Sequence, residues 1–237
     1  MLKDFVRGIQ ALGEGVRLVA EPGLRRFVVI PFLVNVVVFA GAIVFAWNRF
    51  DAWLETLLPD WLAWAEFLLL PLLVLLLLLI VFFTFTFVAN FLAGPFNGRL
   101  AEKVEARLTG RAPASADEPL MKSIVRDFGA ELRRLVYTLA WMVPILVLSF
   151  IPVLNLLAFA LGAWLLATEY ADYPMGNHGI RFSEQRQVLK RRRAAAMGFG
   201  AALTLMTLVP VLNFLAMPAG VAGATVLWVR EFAEQAE

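Results

Sequence analysis

An uncharged stretch of 21 residues, FVVIPFLVNVVVFAGAIVFAW at positions 27–47, decides the fold of this chain. A helix of that length rises about 30 Å, at ~1.5 Å per residue, and so matches the hydrocarbon core of a bilayer. A second apolar run, dense in Leu and Phe, covers residues 67–93. Both runs predict transmembrane helices. The expected fold is therefore an all-α integral membrane protein, folded as a single membrane domain over residues 1–237.

The composition supports lipid as the solvent. Charged residues make up 17% of the 237 residues and hydrophobic residues 61%, whereas a soluble domain carries roughly 25% charged residues. The absence of cysteine excludes disulfides and thiolate metal sites. The lone histidine, His178, leaves no usual zinc constellation. We therefore expect no metal and no cofactor.

The basic residues indicate the topology. Of the 21 Lys and Arg residues, only Arg49 lies in the loop between the two spans. The positive-inside bias places that loop outside and both chain termini in the cytoplasm of a bacterium, with the spans in its inner membrane. This distribution accounts for the charge better than a nucleic-acid-binding face does. The run at 190–193 is expected to contact anionic lipid headgroups.

Two segments are amphipathic rather than continuously apolar. Residues 1–26 place apolar side chains at helical spacing and are too charged to span, which predicts an interfacial helix. No removable signal peptide is expected there. Residues 96–136 read as cytoplasmic helices on either side of a Pro/Ala/Asp-rich connector. The apolar positions of the first segment are Leu2, Phe5, Ile9, Leu12, Val16 and Val19.

An internal repeat organises the rest of the chain. PVLNLLA at 152–158 recurs as PVLNFLA at 210–216, and Pro and Asn break an apolar helix in favour of a turn. We predict two half-membrane re-entrant helical hairpins, at 137–167 and 194–229, joined by a cytoplasmic loop at 168–193. Arms of 11–14 residues would reach only about 17–21 Å into the bilayer. This arrangement keeps the basic loop on the cytoplasmic side.

The two corners raise two alternatives. Non-helical backbone at membrane depth occurs where it lines a water-filled path or is buried against protein. Asn155 and Asn213 either line such a path with amide donors or serve only as turn residues. Arg99 and Glu102, three apart on a helix, either pair beside a cytoplasmic mouth or form a solvated face.

The stretch EPGLRR at 21–26, directly before the first span, has the features of an anion site. The Pro-Gly pair makes a turn, and a helix beginning at Leu24 would present unpaired N–H groups. Gly23 allows close backbone approach, and Arg25 or Arg26 supplies a forked donor suited to a tetrahedral dianion such as sulfate. The alternative is that these arginines are ordinary topology signals.

No motif of enzyme chemistry is present. The sequence has no phosphate-binding Gly-x-x-x-x-Gly-Lys-Ser/Thr loop, no Gly-x-Ser-x-Gly elbow and no His-Glu-x-x-His helix. We expect no catalytic residue, and the chain is predicted not to be an enzyme.

The sequence resembles the CysZ sulfate permeases, which belong with the etoposide-induced protein family. The most distinctive match is YPMGNH at 173–178, supported by PGLR at 22–25, GPFN at 94–97 and the two PVLN corners. The family has an acidic residue after the Asn of the GPFN motif. This chain has Gly98 there, after Asn97, so the role of that acidic residue is not carried over.

The resemblance implies more than the residues alone predict. It implies sulfate uptake for cysteine biosynthesis, two long transmembrane helices with two half-penetrating hairpins, and assembly as a homo-oligomer. It also implies a sulfate site at Gly23, Leu24 and Arg25 with the adjacent Arg26. The alternative function is a non-transporting oligomeric membrane scaffold.

Overall fold

The computed structural model describes residues 1–30, 33–34, 36–38, 40–41, 44–45, 71–72, 75, 79, 96–111, 113 and 136–233. All regular structure in these residues is helical, as predicted. Most of the predicted second span, the loop before it and the connector after 113 lie outside the described residues. The chain divides into two compact units, one of Met1–Val28 with Pro95–Glu237 and one of Val29–Gly94.

The described helices follow one another with short breaks. Helix α1 covers Leu2–Ala20, α2 begins at residue 26, and α3 covers 96–109. Then come α4 (Val136–Ser149), α5 (Asn155–Asn177), α6 (Phe182–Arg191), α7 (Arg193–Leu208) and α8 (Pro210–Leu227). Helix α8 runs directly into a single π-helical turn, Trp228–Phe232.

Both copies of the repeat break a helix. Helix α4 ends before a bend over residues 150–154, and α5 starts at Asn155. In the second copy Val209 is extended between α7 and α8, and Pro210 is the first residue of α8, where its missing N–H is tolerated. The breaks therefore fall where the proline and asparagine pattern predicts them. Their depth in a bilayer stays a prediction.

The segment at 168–193 differs from the predicted loop. Helix α5 continues to Asn177 through Pro174, and α6 follows after only four non-helical residues. A proline inside a helix removes a hydrogen bond and strains the turn before it. Here the same turns bury Tyr170, Ala171 and Met175 in the core, and that burial outweighs the local cost. The helices are also longer than the predicted arms, with 23 residues in α5 and 18 in α8.

Large apolar side chains are exposed at both corners. Phe150 and Val153 are 79% and 86% exposed at the first corner, and Val211 and Phe214 are 74% and 73% exposed at the second. Contiguous exposed apolar surface marks contact with membrane or protein. Within the described residues, one helical stretch, Pro210–Phe232, has the length and apolar composition of a membrane span, and it is mostly buried within the chain.

Helix α1 packs against α7 and α8 through glycine. A Cβ at Gly8 would overlap the carbonyl oxygen of Ala195, and one at Gly15 would overlap the backbone of Gly223. Such contacts bring helix backbones together where no larger residue fits. The buried face of α1 is therefore built on small residues and consists of Gly8, Ala11, Leu12, Gly15, Leu18 and Val19.

The large apolar side chains of α1 are divided between the core and the surface. Leu12 and Val19 are buried, whereas Leu2 is 78% and Ile9 is 42% exposed. Contact of the exposed side chains with a membrane interface stays a prediction, and the closest packing within the chain uses positions without side chains. Helix α1 is thus amphipathic, and it packs closely against α7 and α8. These two helices are called the second helical pair below, and α4 and α5 the first.

Two glycines of α1 provide a matched test of this packing. Gly8→Ala is expected to lower the free energy of unfolding by about 1–3 kcal/mol, because the new methyl group enters backbone that cannot yield. Gly13→Ala is expected to raise stability by roughly 0.5–1 kcal/mol, because Gly13 is exposed with open space around its Cβ position. Thermal unfolding of the purified variants in detergent measures both. Equal effects at the two positions would contradict the packing of α1 described here.

Candidate anion-binding site

The turn at residues 21–26, called the anion turn below, connects α1 to α2. Gly23 has φ +92°, a conformation that other residues adopt only with strain. Apart from its two chain neighbours, no atom of the described residues lies within 4 Å of its Cβ position, so the backbone there is open to a ligand. Leu24 is 4% exposed and belongs to the same core as Leu100 and Val104 of α3. The turn is therefore anchored by Leu24 with the backbone of Gly23 accessible.

The backbone of the anion turn satisfies only some of its own donors. The N–H groups of Leu24 and Arg25 both donate to the carbonyl of Glu21, each at 3.1 Å. Within the described part of the chain, the N–H groups of Gly23 and Arg26 have no backbone acceptor. The first helical residue is 26 rather than the predicted Leu24. Gly23 and Arg26 are thus the backbone donors that can face an anion.

The two predicted arginines both reach solvent. Arg25 and Arg26 are exposed, and the guanidinium carbon of Arg26 lies 5.4 Å from the centroid of the Phe27 ring. An aromatic face at that distance attracts a guanidinium and orients its plane. Both side chains therefore offer forked donors to solvent, in the form suited to an oxyanion.

Helix α3 adds two cations that sequence reasoning did not place at the turn. Arg107 Nη2 lies 2.6 Å from Glu21 Oε2, and Lys103 Nζ lies 5.9 Å from the centroid of the Phe27 ring. Both come from one face of the helix, because residues four apart lie above one another. The spacing of basic residues at 99, 103 and 107 in the sequence is the signal that could have indicated this face.

Basic side chains are clustered in and beside the anion turn. The turn itself carries Arg25 and Arg26, Lys103 of α3 lies near the Phe27 ring that follows the turn, and Arg107 pairs with Glu21. Clustered charge of one sign raises the local concentration of the opposite ion. The arrangement is thus able to hold a small anion by charge and by forked hydrogen bonds together.

The four residues predicted to line a path are distributed over several helices. Arg99 is exposed and Glu102 is partly buried, both on α3. Asn155 and Asn213 are exposed near the starts of α5 and α8, and their N–H groups donate to the carbonyls of Ile151 and Val209. The described contacts join neither asparagine to the anion turn. A path through these residues, and an Arg99–Glu102 pair, stay predictions.

Helix α3 is fastened to the end of α5 by the distinctive YPMGNH segment. Asn177 Nδ2 donates to the carbonyl of Gly98 at 3.0 Å, and His178 Nε2 lies 2.7 Å from Glu105 Oε1. The partner of His178 is 73 residues away in the chain. These contacts fix the helix that carries Lys103 and Arg107 beside the turn.

The fastening at His178 is expected to depend on pH. Its hydrogen bond to Glu105 raises the pKa of His178 above the usual 6.5, against the lowering effect of partial burial. A raised folded pKa means that the contribution to stability is complete below about 6.5 and is lost as the pH rises through the folded value. Since the chain has one histidine, His178→Gln should flatten the fall in melting temperature between about pH 6 and pH 9. An unchanged slope in that variant would count against this role.

The candidate site has no features of a metal centre. Among the residues that the structure describes, no group of three His, Cys, Asp or Glu side chains could hold a metal ion.

Comparison with known proteins identifies the family. The sequence profile of the family described as Sulfate transporter CysZ/Etoposide-induced protein 2.4 matches residues 11–218. The chain belongs to this family. The match to CysZ includes α1 from Ala11 onward, the anion turn, α3 and the first half of α8, so the candidate site lies wholly inside it.

Curated CysZ proteins are similar over nearly their full length. The proteins named Sulfate transporter CysZ from Pseudomonas aeruginosa strains LESB58 and PAO1 are each 47% identical over 238 residues, covering 97% of this chain and 97% of theirs. The protein of that name from Pseudomonas fluorescens strain Pf0-1 is 46% identical over 240 residues, covering 98% of this chain and 96% of its own.

Proposed function

We propose that this chain transports sulfate across the bacterial inner membrane and that the anion turn binds the sulfate. The observation that carries the proposal is the open Gly23 backbone in a turn that exposes Arg25 and Arg26 and that Arg107 of α3 contacts through Glu21. The name of the similar Pseudomonas proteins, Sulfate transporter CysZ, identifies the anion. The sulfate feeds assimilation into cysteine, and the chain acts as a transporter rather than an enzyme.

The proposed membrane arrangement has two long spans, at 27–47 and 67–93, and two re-entrant hairpins, with both termini in the cytoplasm. Two observations support it. The corners of both helical pairs expose large apolar side chains suited to lipid, and the basic residues avoid the loop between the spans. The chain acts as a homo-oligomer in contact with membrane lipids.

The electrical cost of uptake limits the mechanism. Moving a dianion against a potential of about 100 mV costs about 4.6 kcal/mol, equal to roughly a two-thousandfold concentration ratio. The two spans contain no Asp or Glu, and Glu66 lies just before the second of them. We therefore propose a channel-like or weakly coupled permease, in which rapid consumption of sulfate inside the cell maintains the inward flow.

Flux of labelled sulfate into proteoliposomes tests transport and coupling together. Sulfate is expected to enter well above the rate of empty liposomes, and an inward proton gradient is expected to change the initial rate by less than about twofold. Strong acceleration by that gradient would replace the uncoupled mechanism with a proton-coupled one. Flux equal to the leak of empty liposomes would favour the scaffold function.

A further inference from the structure

A cavity of about 440 Å³ lies at the base of the second helical pair, away from the anion turn. It is bounded by α1, the residue before α7 and the end of α8. Its polar lining consists of Arg7, Gln10, Arg192, Arg230 and Glu231. Three guanidinium groups therefore face one space together with a single lining carboxylate.

The arginines of this cavity are held in place by ion pairs. Glu231, whose side chain is 10% exposed, lies 2.9 Å from Arg192 Nη1 and 3.4 Å from Arg7 Nη1. Asp4 approaches the same Nη1 atoms at 3.6 and 3.8 Å, and Arg230 pairs with Glu14 at 2.7 Å. Arg7 and Arg192 thus use Nη1 in these pairs, whereas a guanidinium offers five N–H donors over three nitrogens. The ion pairs orient both groups and leave donors on Nε and Nη2 for a ligand.

The π-helical turn at the end of α8 places two successive residues at the cavity. Arg230 and Glu231 both line it, and both belong to the turn Trp228–Phe232. A π turn inserts an extra residue into the helix and is frequently found at functional sites. The turn thus places the Arg230 guanidinium at the cavity together with Glu231, the carboxylate that pairs with Arg7 and Arg192.

The size and lining of the cavity indicate the class of ligand. Its volume falls within the range of roughly 300–1,000 Å³ that is typical of small-molecule sites and exceeds what a bare tetrahedral anion fills. Forked guanidinium groups bind phosphate and sulfate groups in two-point fashion. We propose that this cavity is a second oxyanion site, separate from the anion turn, that binds a phosphate or sulfate ester.

The position of the cavity leaves two sources for such an ester. Arg192 precedes α7, and Arg230 follows α8, so both lie at the end of the helical pair opposite the exposed corner at Pro210. If that corner enters the bilayer, the cavity lies at the cytoplasmic membrane surface. The ester is then either a soluble metabolite or the headgroup of an anionic phospholipid.

Binding of phenyl phosphate by the purified full chain in detergent tests the soluble source, and calorimetry measures it. We expect Arg192→Lys, which keeps the charge and loses the fork, to weaken phenyl phosphate binding by about tenfold. Gln10→Trp, which fills the cavity without touching an ion pair, should abolish it, while Arg25→Ala should leave it within about twofold. For the lipid source, the melting temperature in phosphatidylglycerol nanodiscs should exceed that in phosphatidylcholine nanodiscs, and Gln10→Trp should remove the difference.

The experiments give different results for a soluble ester, for a lipid headgroup and for a cavity that binds neither. Phenyl phosphate binding in detergent supports a soluble ester, and a lipid-dependent melting temperature that Gln10→Trp removes supports a headgroup. No binding at millimolar phenyl phosphate together with equal melting temperatures in the two kinds of nanodisc would overturn the site. Phenyl phosphate binding that disappears in Arg25→Ala but persists in folded Gln10→Trp would assign it to the anion turn instead.

Discussion

Replacing Arg25 and Arg26 together with alanine is expected to raise the dissociation constant for sulfate by about a hundredfold or more. Each arginine supplies charge-assisted hydrogen bonds worth roughly 1.5–3 kcal/mol, and every 1.4 kcal/mol changes affinity about tenfold. Both side chains are exposed, so their removal should leave the packing of the turn by Leu24 intact. Calorimetric titration of the purified double variant with sulfate measures the loss, and sulfate uptake should fall with it.

Two further variants separate the two-point hydrogen bonding of the guanidinium group from its positive charge. Arg25→Lys keeps the charge and removes the two-point geometry. Its affinity for sulfate should therefore lie between that of Arg25→Ala and that of the unmodified protein. Arg193→Ala removes an exposed arginine from the start of α7 and serves as the control for general loss of positive charge. A double variant at 25 and 26 that folds normally and binds sulfate unchanged would show that the anion turn is not the site.

Arg107→Gln is expected to weaken sulfate binding by about tenfold, without Arg107 itself contacting the ion. Arg107 pairs with Glu21 at 2.6 Å, and Glu21 lies two residues before Gly23. Without Arg107, the Glu21 carboxylate stands unneutralised beside the bound dianion and repels it. Both side chains are more than a third exposed, so screening limits the effect and salt should reduce it.

A double-mutant cycle distinguishes repulsion by Glu21 from direct contact by Arg107. Glu21→Gln alone is expected to strengthen binding, and Glu21→Gln combined with Arg107→Gln should recover most of the lost affinity, giving a coupling between the two positions. If Arg107→Gln costs the same affinity with Glu21 or Gln at position 21, then Arg107 binds the anion directly. The ionic-strength dependence of the single variants provides a second measure of the same charge effect.

The structure also explains how the anion turn is held in place. The turn follows α1 without a linker, and α1 is fixed to α7 and α8 by glycine contacts at Gly8 and Gly15. On its other side, α3 is fastened to the end of α5 through Asn177 and His178. The site therefore lies between two helices whose positions are set by the helical pairs of the repeat. A loss of packing at Gly8 would affect sulfate binding as well as stability.

Several features were predictable because their physical cause is local. The proline-asparagine corners break the helices as expected, since a missing N–H acts within a single turn. The φ of +92° at Gly23 follows from a Pro-Gly pair directly after a helix. The helical structure within the predicted loop at 168–193 was not predictable in the same way, because burial of Met175 and its neighbours in the core overrides the local effect of Pro174.

The sequence by itself determined the helical class, the breaks at the two corners and the position of the anion turn, because apolar period, proline chemistry and glycine conformation act over a few residues. Only the tertiary structure decided which face of α1 is buried, that Lys103 and Arg107 stand beside the turn, and that His178 meets Glu105. These contacts join residues far apart in the chain. They depend on how closely the helix backbones approach one another at glycine residues, and the spacing of apolar residues does not predict that distance.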